Sequence, residues 1–335
     1  MLRALTPVLH FQPVGALIVA LLAAQALGLL RLPAVGRIDH ALYDVHVRLF
    51  APRGTDPRVV MVDVDERALS EHGRWPWRRA VLAELLQRLV KDGGASLVGL
   101  DIVLAETDDS SGLAALDALA QGPLGRTPAF QQALETLRPV LDDDARLAEA
   151  LRGLPVVLAF HLSDEPGAAR AGALPPPLLP DAALGAYLSV LPEWRGHGGN
   201  LLRLQQASHW GAGHLNGQFD DDGVLRRAPL LLRHDGALHG ALSLVMARQW
   251  LGLPATTPVT PAADAPAPQP AAISLVPAEP PLRELRLTAA QGALRVPVDD
   301  GARALLPYRY GDNAFQRVSA ADVLGGRLPS SLACL

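Results

Sequence analysis

The stretch from Arg58 to Glu106 constrains the fold more than any other. It opens with the apolar run at 59–64, which meets Asp65 and Glu66, and closes with the run at 97–104, which leads into Glu106. Near-continuous Val, Ile and Leu of this length predicts strands buried on both faces. Between the runs, Val81, Leu82, Leu85, Leu86, Leu89 and Val90 recur at helical spacing and define one apolar stripe. Gly93 and Gly94 follow, where a left-handed cap would end the helix. Strand, helix and strand in about fifty residues form a βαβ unit whose crossover should be right-handed. The fold class that follows is α/β: a mixed sheet centred on this unit, with flanking helices.

The rest of the chain hangs on that unit. Residues 14–30 are apolar apart from Gln25, near the lower limit for crossing a bilayer, and Leu32 and Val35 can extend the run. The run is long enough for one transmembrane helix at 14–34. A signal peptide competes, because Arg3 precedes the run and Ala24-Gln25-Ala26 has the small-x-small cleavage pattern. Ile38, Leu42, Val45 and Leu49 then predict a short amphipathic helix. Further helices are expected at about 113–121, 128–137 and 143–152, the last opened by Asp142, Asp143 and Asp144, and a third buried strand at 156–161. Asp220-Asp221-Asp222-Gly223 predicts the turn of a hairpin over 215–233, and His234-Asp235-Gly236 a turn into a helix at 237–251. Nine prolines make 254–281 an extended insertion. Strands at about 283–288 and 303–310 and a helix capped by Ser319 close the domain.

Composition excludes several functions. Among 335 residues the formal net charge is −4, which gives no electrostatic case for nucleic acid. Cys334 is the only cysteine, so there is no intrachain disulfide and no cysteine metal site. Of the ten histidines, His209 and His214 are five apart, as are His234 and His239, and His40 and His46 are six apart. None has the i, i+4 spacing of a zinc pair, so no metal or other cofactor is expected. The Asp220–Asp222 run is followed by no glutamate at the calcium-loop distance. Gly-rich phosphate loops, dinucleotide fingerprints and nucleophile–base pairs are not seen.

The candidate site lies at the strand tips. Asp63, Asp65 and Glu66 end the first run, Asp101 and Glu106 lie toward the end of the second, and Trp75-Pro76-Trp77-Arg78-Arg79 leads into the helix. In a parallel βαβ unit these tips share one sheet edge, where α/β sheets bind ligands. Several carboxylates that close would repel unless a cation sat among them or Arg78 or Arg79 paired with Asp63, Asp65 or Asp101. Pro76 fits the first helical turn, and Trp75 and Trp77 wedge against the sheet or line a pocket. Asp63-x-Asp65 also has the form of a phosphatase nucleophile pair, but Arg67 stands where that chemistry wants Thr or Val, and the only lysine, Lys91, ends the helix.

The motif residues also carry a resemblance. Asp63, Asp65 and Glu66, then Trp75, Pro76, Trp77 and Arg79, then Gly94, Ala95, Val98, Gly99, Asp101 and Ile102 resemble the CHASE type 2 domain. Segments 39–50 (DHALYDVHVRLF), 213–231 (GHLNGQFDDDGVLRRAPLL) and 300–326 add to it in the same order, so it covers 35–328. The resemblance implies an extracytoplasmic sensor of a bacterial cyclase or histidine kinase, not itself an enzyme, held at the inner membrane by one retained helix at 14–34, with residues 1–13 cytoplasmic and the sensor domain periplasmic. It further implies a small-molecule or protein cue and allows a homodimer. In that architecture a strand, membrane helices and an output domain would follow, so 329–335 reads as a truncated tail. The alternatives are a periplasmic metal-dependent phosphatase using Asp63 and Asp65, and a soluble periplasmic binding protein released after Ala26.

Overall fold

The computed structural model describes residues 11–26, 33–179, 185–253, 269–278, 280–290, 292–311 and 314–328. The chain divides into two units, residues 1–54 with 307–314, and residues 55–306 with 315–335.

The first unit holds α1 (Phe11–Ala26) and α2 (Pro33–Phe50). Among the described residues no helix is long and apolar enough to cross a membrane. Of the expected span at 14–34, α1 covers the first part, and 27–32 lie outside the described residues. The expected amphipathic helix is present as α2, and its apolar stripe faces outward: Ile38, Leu42, Val45 and Leu49 are all exposed. Beyond α2 the Tyr310 amide donates to the Pro52 carbonyl at 3.0 Å, and the Arg53 guanidinium lies 5.5 Å from the centre of the Tyr310 ring.

The second unit begins with β1 (Asp56–Asp63), α3 (Glu66–His72) and α4 (Arg79–Lys91). The stripe on α4 is where its spacing placed it, with Leu82, Leu85, Leu86 and Val90 buried. Each such side chain contributes about 2 kcal/mol by leaving water. Asp92 caps the helix, and Gly94 takes the left-handed conformation at φ +70° that a side chain would oppose. Then come β2 (Val98–Gly99), α5 (Leu113–Ala120), α6 (Pro128–Leu141), α7 (Asp143–Arg152) and β3 (Val156–Ser163). The chain continues through β4 (Arg170–Ala171), β5 (Gly196–Gly198), α8 (Leu202–Ala207), β6 (Ala212–His214), β7 (Arg227–Pro229), β8 (Leu231–His234), β9 (Ala237–Gly240) and α9 (Leu242–Gly252). It closes with β10 (Ala272–Val276), β11 (Glu284–Ala289), β12 (Gly292–Pro297), β13 (Arg303–Leu305), β14 (Phe315–Ser319) and α10 (Ala320–Leu324).

β3 is the spine. Its residues 156–160 are fully buried, and it pairs parallel with β2 and β6 and antiparallel with β5, which pairs in turn with β4. The main core gathers α4, α7, β3 and α10, and a second lies around β8, β9, α9 and β11.

Several expectations are corrected. The two runs of the βαβ unit do not pair with each other: β1 pairs parallel with β14, and β2 with β3. Nor is β1 buried on both faces, since Val59 and Met61 are exposed while Val60 and Val62 pack on the core. Only Val98–Gly99 of the second run forms a ladder. Further on, the Leu104 amide donates instead to the side chain of Asn200, whose own amide donates to the Ala159 carbonyl, both at 2.9 Å. The Asp220–Gly223 turn exists, yet its flanks do not pair: β6 joins β3, and β7 joins β13. The hairpin is β8–β9, turned by Asp235 and Gly236 at φ +48° and +77°, so the helix begins five residues later than expected, at Leu242. The end of the proline-rich stretch is the strand β10, in an antiparallel sheet with β11 and the unforeseen β12; residues 254–268 lie outside the described residues. The strand expected at 303–310 is the three-residue β13.

Candidate functional site

The turn before α4 is built around Trp77. Its indole is buried, and Nε1 donates to the Gly73 carbonyl at 2.8 Å. Trp75 lies 6.0 Å from it, ring centre to ring centre, and remains 42% exposed. Helix α4 starts only at Arg79, so Pro76 lies before the first turn, in a cis bond to Trp75.

Arg78 and Arg79 do pair with acids, but with those of α7. Arg78 Nε donates to Asp143 Oδ2 at 2.9 Å, and Arg79 Nε lies 3.6 Å from Asp144 Oδ1. Both aspartates are buried. Arg79 Nη2 also donates to the Glu106 carbonyl at 3.1 Å. The Arg79 amide, an open donor at the helix start, is taken by Asp108 Oδ2 at 2.6 Å. The Asp108 amide donates to Asp144 Oδ2 at 3.2 Å, which closes a ring of Arg79, Asp108 and Asp144.

The two carboxyl groups of that ring are pushed apart. Burial works to raise Asp108, but donation from the Ser110 hydroxyl and from the Arg79 and Ser110 amides outweighs it and holds the group below the usual range. Asp144 lies above the usual range, because burial outweighs the Asp108 amide and the Arg79 charge.

A cavity of about 490 Å³ opens between the Trp turn and residues 102–110. Trp75, Trp77 and Arg79 line one side, and Glu106, Asp108 and Asp109 the other. Glu106, Asp108 and Asp109 outnumber Arg79, whose charge already faces Asp144. The lining is therefore acidic beside an accessible indole, an arrangement that suits a cation carrying an apolar part.

Four of the predicted residues thus meet at the cavity: Trp75, Trp77, Arg79 and Glu106. Arg78 stands beside them through Asp143. Asp63 and Asp65 do not join them. Asp63 is bound by Arg317 of β14 through two hydrogen bonds at 2.8 and 3.0 Å. Asp65 caps α3 by accepting from the Ala68 amide, and it also accepts the Ser319 hydroxyl, both at 2.8 Å. Those donors hold its carboxyl below the usual range, the Ala68 amide foremost. Glu66 sits exposed in the first turn of α3, and Asp101 is exposed after β2, neither lining the cavity. The predicted pairing of Arg78 or Arg79 with Asp63, Asp65 or Asp101 is replaced because β14, not β2, lies beside β1. Both aspartates of the phosphatase alternative are thus engaged, Asp63 by Arg317 and Asp65 by the Ala68 amide and the Ser319 hydroxyl.

Sequence reasoning missed Asp108 and Asp109 as lining residues and Asp143 and Asp144 as partners of the arginines. The signal for Asp143 and Asp144 was their place at a helix start, which reads as capping. Asp142 does make that contact, accepting from the Ala145 amide at 2.9 Å.

The CHASE2 domain family model matches residues 16–333, nearly the whole chain. No curated protein and no solved structure matches it. The chain belongs to the CHASE2 domain family, a family of extracellular sensory domains.

Proposed function

We propose that this CHASE2 domain is the extracytoplasmic sensing part of a bacterial transmembrane receptor of the cyclase or histidine-kinase type. It is tethered at the inner membrane through residues 14–34, and its cue binds in the cavity beside the Trp turn. The observation that carries the proposal is that cavity: an exposed indole and an arginine already paired with Asp144, from the turn before α4, facing three carboxylates on the loop that follows β2. The cue that fits is a small organic cation with an apolar part, held by Trp75 and by Glu106 or Asp109. Signalling then requires the cue to prefer one of two arrangements of the domain.

Thermal unfolding in the presence of small amines, quaternary ammonium compounds and matched carboxylates tests the site. At a hundred times its dissociation constant, a bound cation should add about 2.7 kcal/mol of stability. Trp75→Ala should abolish that gain and leave the free domain nearly unchanged, because the ring is exposed. Arg79→Met should instead cost the free domain about 3 kcal/mol, because it strands the buried Asp144. Stabilisation that survives in Trp75→Ala, or none with any cation, would overturn the assignment.

A further inference from the structure

Four histidines that are scattered in sequence meet between two layers of strands. His197 on β5 stands opposite Leu162 of β3, and His214 on β6 opposite Phe160. Leu162 and Phe160 are two residues apart, so their side chains share a face of the sheet, and both are buried. The β8–β9 hairpin brings His234 and His239 to that face. The Phe160 ring stands edge-on to His239 at 5.8 Å and to His214 at 6.3 Å. His234 is 6.1 Å from His239 and 5.0 Å from His197, ring centre to ring centre. The Trp cavity, the candidate cue site, uses none of these residues.

The chemistry lies in where the ring nitrogens point. His234 Nδ1 is 2.6 Å from the Trp194 carbonyl, so Nδ1 carries a hydrogen and the neutral ring presents its lone pair at Nε2. That lone pair faces His197 Nδ1 at 3.1 Å and Asp235 Oδ2 at 3.4 Å. A ligating histidine commonly donates its other ring N–H to a carbonyl, which is what His234 does here. Two ligand atoms held tetrahedrally around zinc, each about 2.0–2.1 Å from the ion, lie about 3.3 Å apart. The two separations around His234 Nε2 bracket that value, while the Asp235 carboxylate comes within the same reach of His197 Nδ1 only by turning.

We propose that His197 Nδ1 and His234 Nε2 bind a borderline divalent transition-metal ion, zinc or a neighbour of zinc, with the Asp235 carboxylate as third ligand. Imidazole nitrogens select this class over calcium or magnesium, which want oxygen. Without the ion, the His197–His234 contact is a single hydrogen bond, and its hydrogen stands where the metal would enter. On binding, that hydrogen moves from Nδ1 to Nε2 of His197, so the neutral ring offers Nδ1 and no net proton need leave. Asp235 sits in the exposed β8–β9 turn, where Arg170 holds it through two hydrogen bonds at 2.8 and 3.1 Å. Asp235 must therefore turn from Arg170 toward the ion. His239, whose Nδ1 has no hydrogen-bond partner among the described residues, lines the same layer and can complete the shell by rotating its ring.

The test uses the full chain, stripped with a chelator and titrated with cobalt(II), whose visible absorption reports tetrahedral coordination, and then with zinc in competition. One ion per chain is expected. His197→Asn should weaken binding at least tenfold, and Asp235→Asn several-fold, each with the far-ultraviolet spectrum of the parent. Arg170→Met, which releases Asp235, should tighten binding. His234→Gln should abolish it, and if that variant does not fold, the half-buried His197 carries the test alone. Failure of the parent to bind cobalt or zinc at micromolar concentration would overturn the proposal and leave the pair as a hydrogen bond. So would binding that is unchanged in His197→Asn, because the ion would then sit elsewhere.

Discussion

Asp108 and Asp144 flank the same arginine, yet their carboxyl groups are displaced in opposite directions. The difference is the number of donors each receives against its burial, and this is the level at which single residues set the acid response of the domain. His214 gives the larger effect. Among the described residues neither of its ring nitrogens has a hydrogen-bond partner, and burial, with a minor contribution from His239, lowers its pKa from 6.5 to about 3. Between those values the unfolded chain takes up a proton that the folded chain refuses, so stability must fall as pH falls. Between pH 7 and pH 5 this one residue should remove about 2 kcal/mol of stability. Urea midpoints at the two pH values, taken in chelator, should show that loss in the parent and a curve flatter by the same amount in His214→Leu. Equal pH dependence in both would show that the folded chain accepts the proton at His214.

Asn200 shows why elements were harder to read than residues. It is fully buried, and its side chain joins the segment after β2 to β3 where a ladder would otherwise run. Asn200→Ala leaves the Leu104 amide and the Ala159 carbonyl without these partners, and should cost about 3 kcal/mol with no change of fold. A denaturation midpoint that does not move would mean that water replaces the side chain. The run at 97–104 is apolar because it is buried, and burial alone does not say whether its amides meet a strand or a side chain. Helices were legible for the opposite reason: α4, α5, α6 and α7 carry their period within their own residues. The strand partner of β1 lies more than 250 residues away in β14, beyond any local pattern. Site legibility divides in the same way. Trp75, Trp77, Arg79 and Glu106 are near neighbours of one turn and one loop, and the sequence already grouped these four that line one cavity. The acid opposite Arg79 came from α7, and nothing in linear spacing selects Asp144 among 34 acidic residues. The histidine layer was hidden because its members come from four strands, each contributing one ring.

At the scale of the whole molecule the reading rests on where the sensing unit resides. The seventeen residues at 14–30 would span about 26 Å as one helix, against a hydrocarbon core of ~30 Å. Extending the run to residue 34 closes that gap. Arg3 before the run is outnumbered by Arg31, Arg37 and Arg48 after it, which opposes the usual positive-inside bias, but a long following domain crosses largely regardless of such charges. The family is one of extracellular sensory domains, and on that ground we propose that everything after the run is exported. The two ends of the argument can be separated by labelling. In a Cys334→Ser background, Ser70→Cys places the sole thiol on an exposed turn of α3. A membrane-impermeant maleimide added to intact cells with a permeabilised outer membrane should modify that thiol without lysis. Modification only after lysis would put the sensing unit in the cytoplasm and sink the receptor assignment. The intact mass of the membrane-extracted chain should retain residues 1–26. A mass beginning at Leu27 would replace the anchored receptor by a released periplasmic binding protein, while leaving the cavity and its test as they stand.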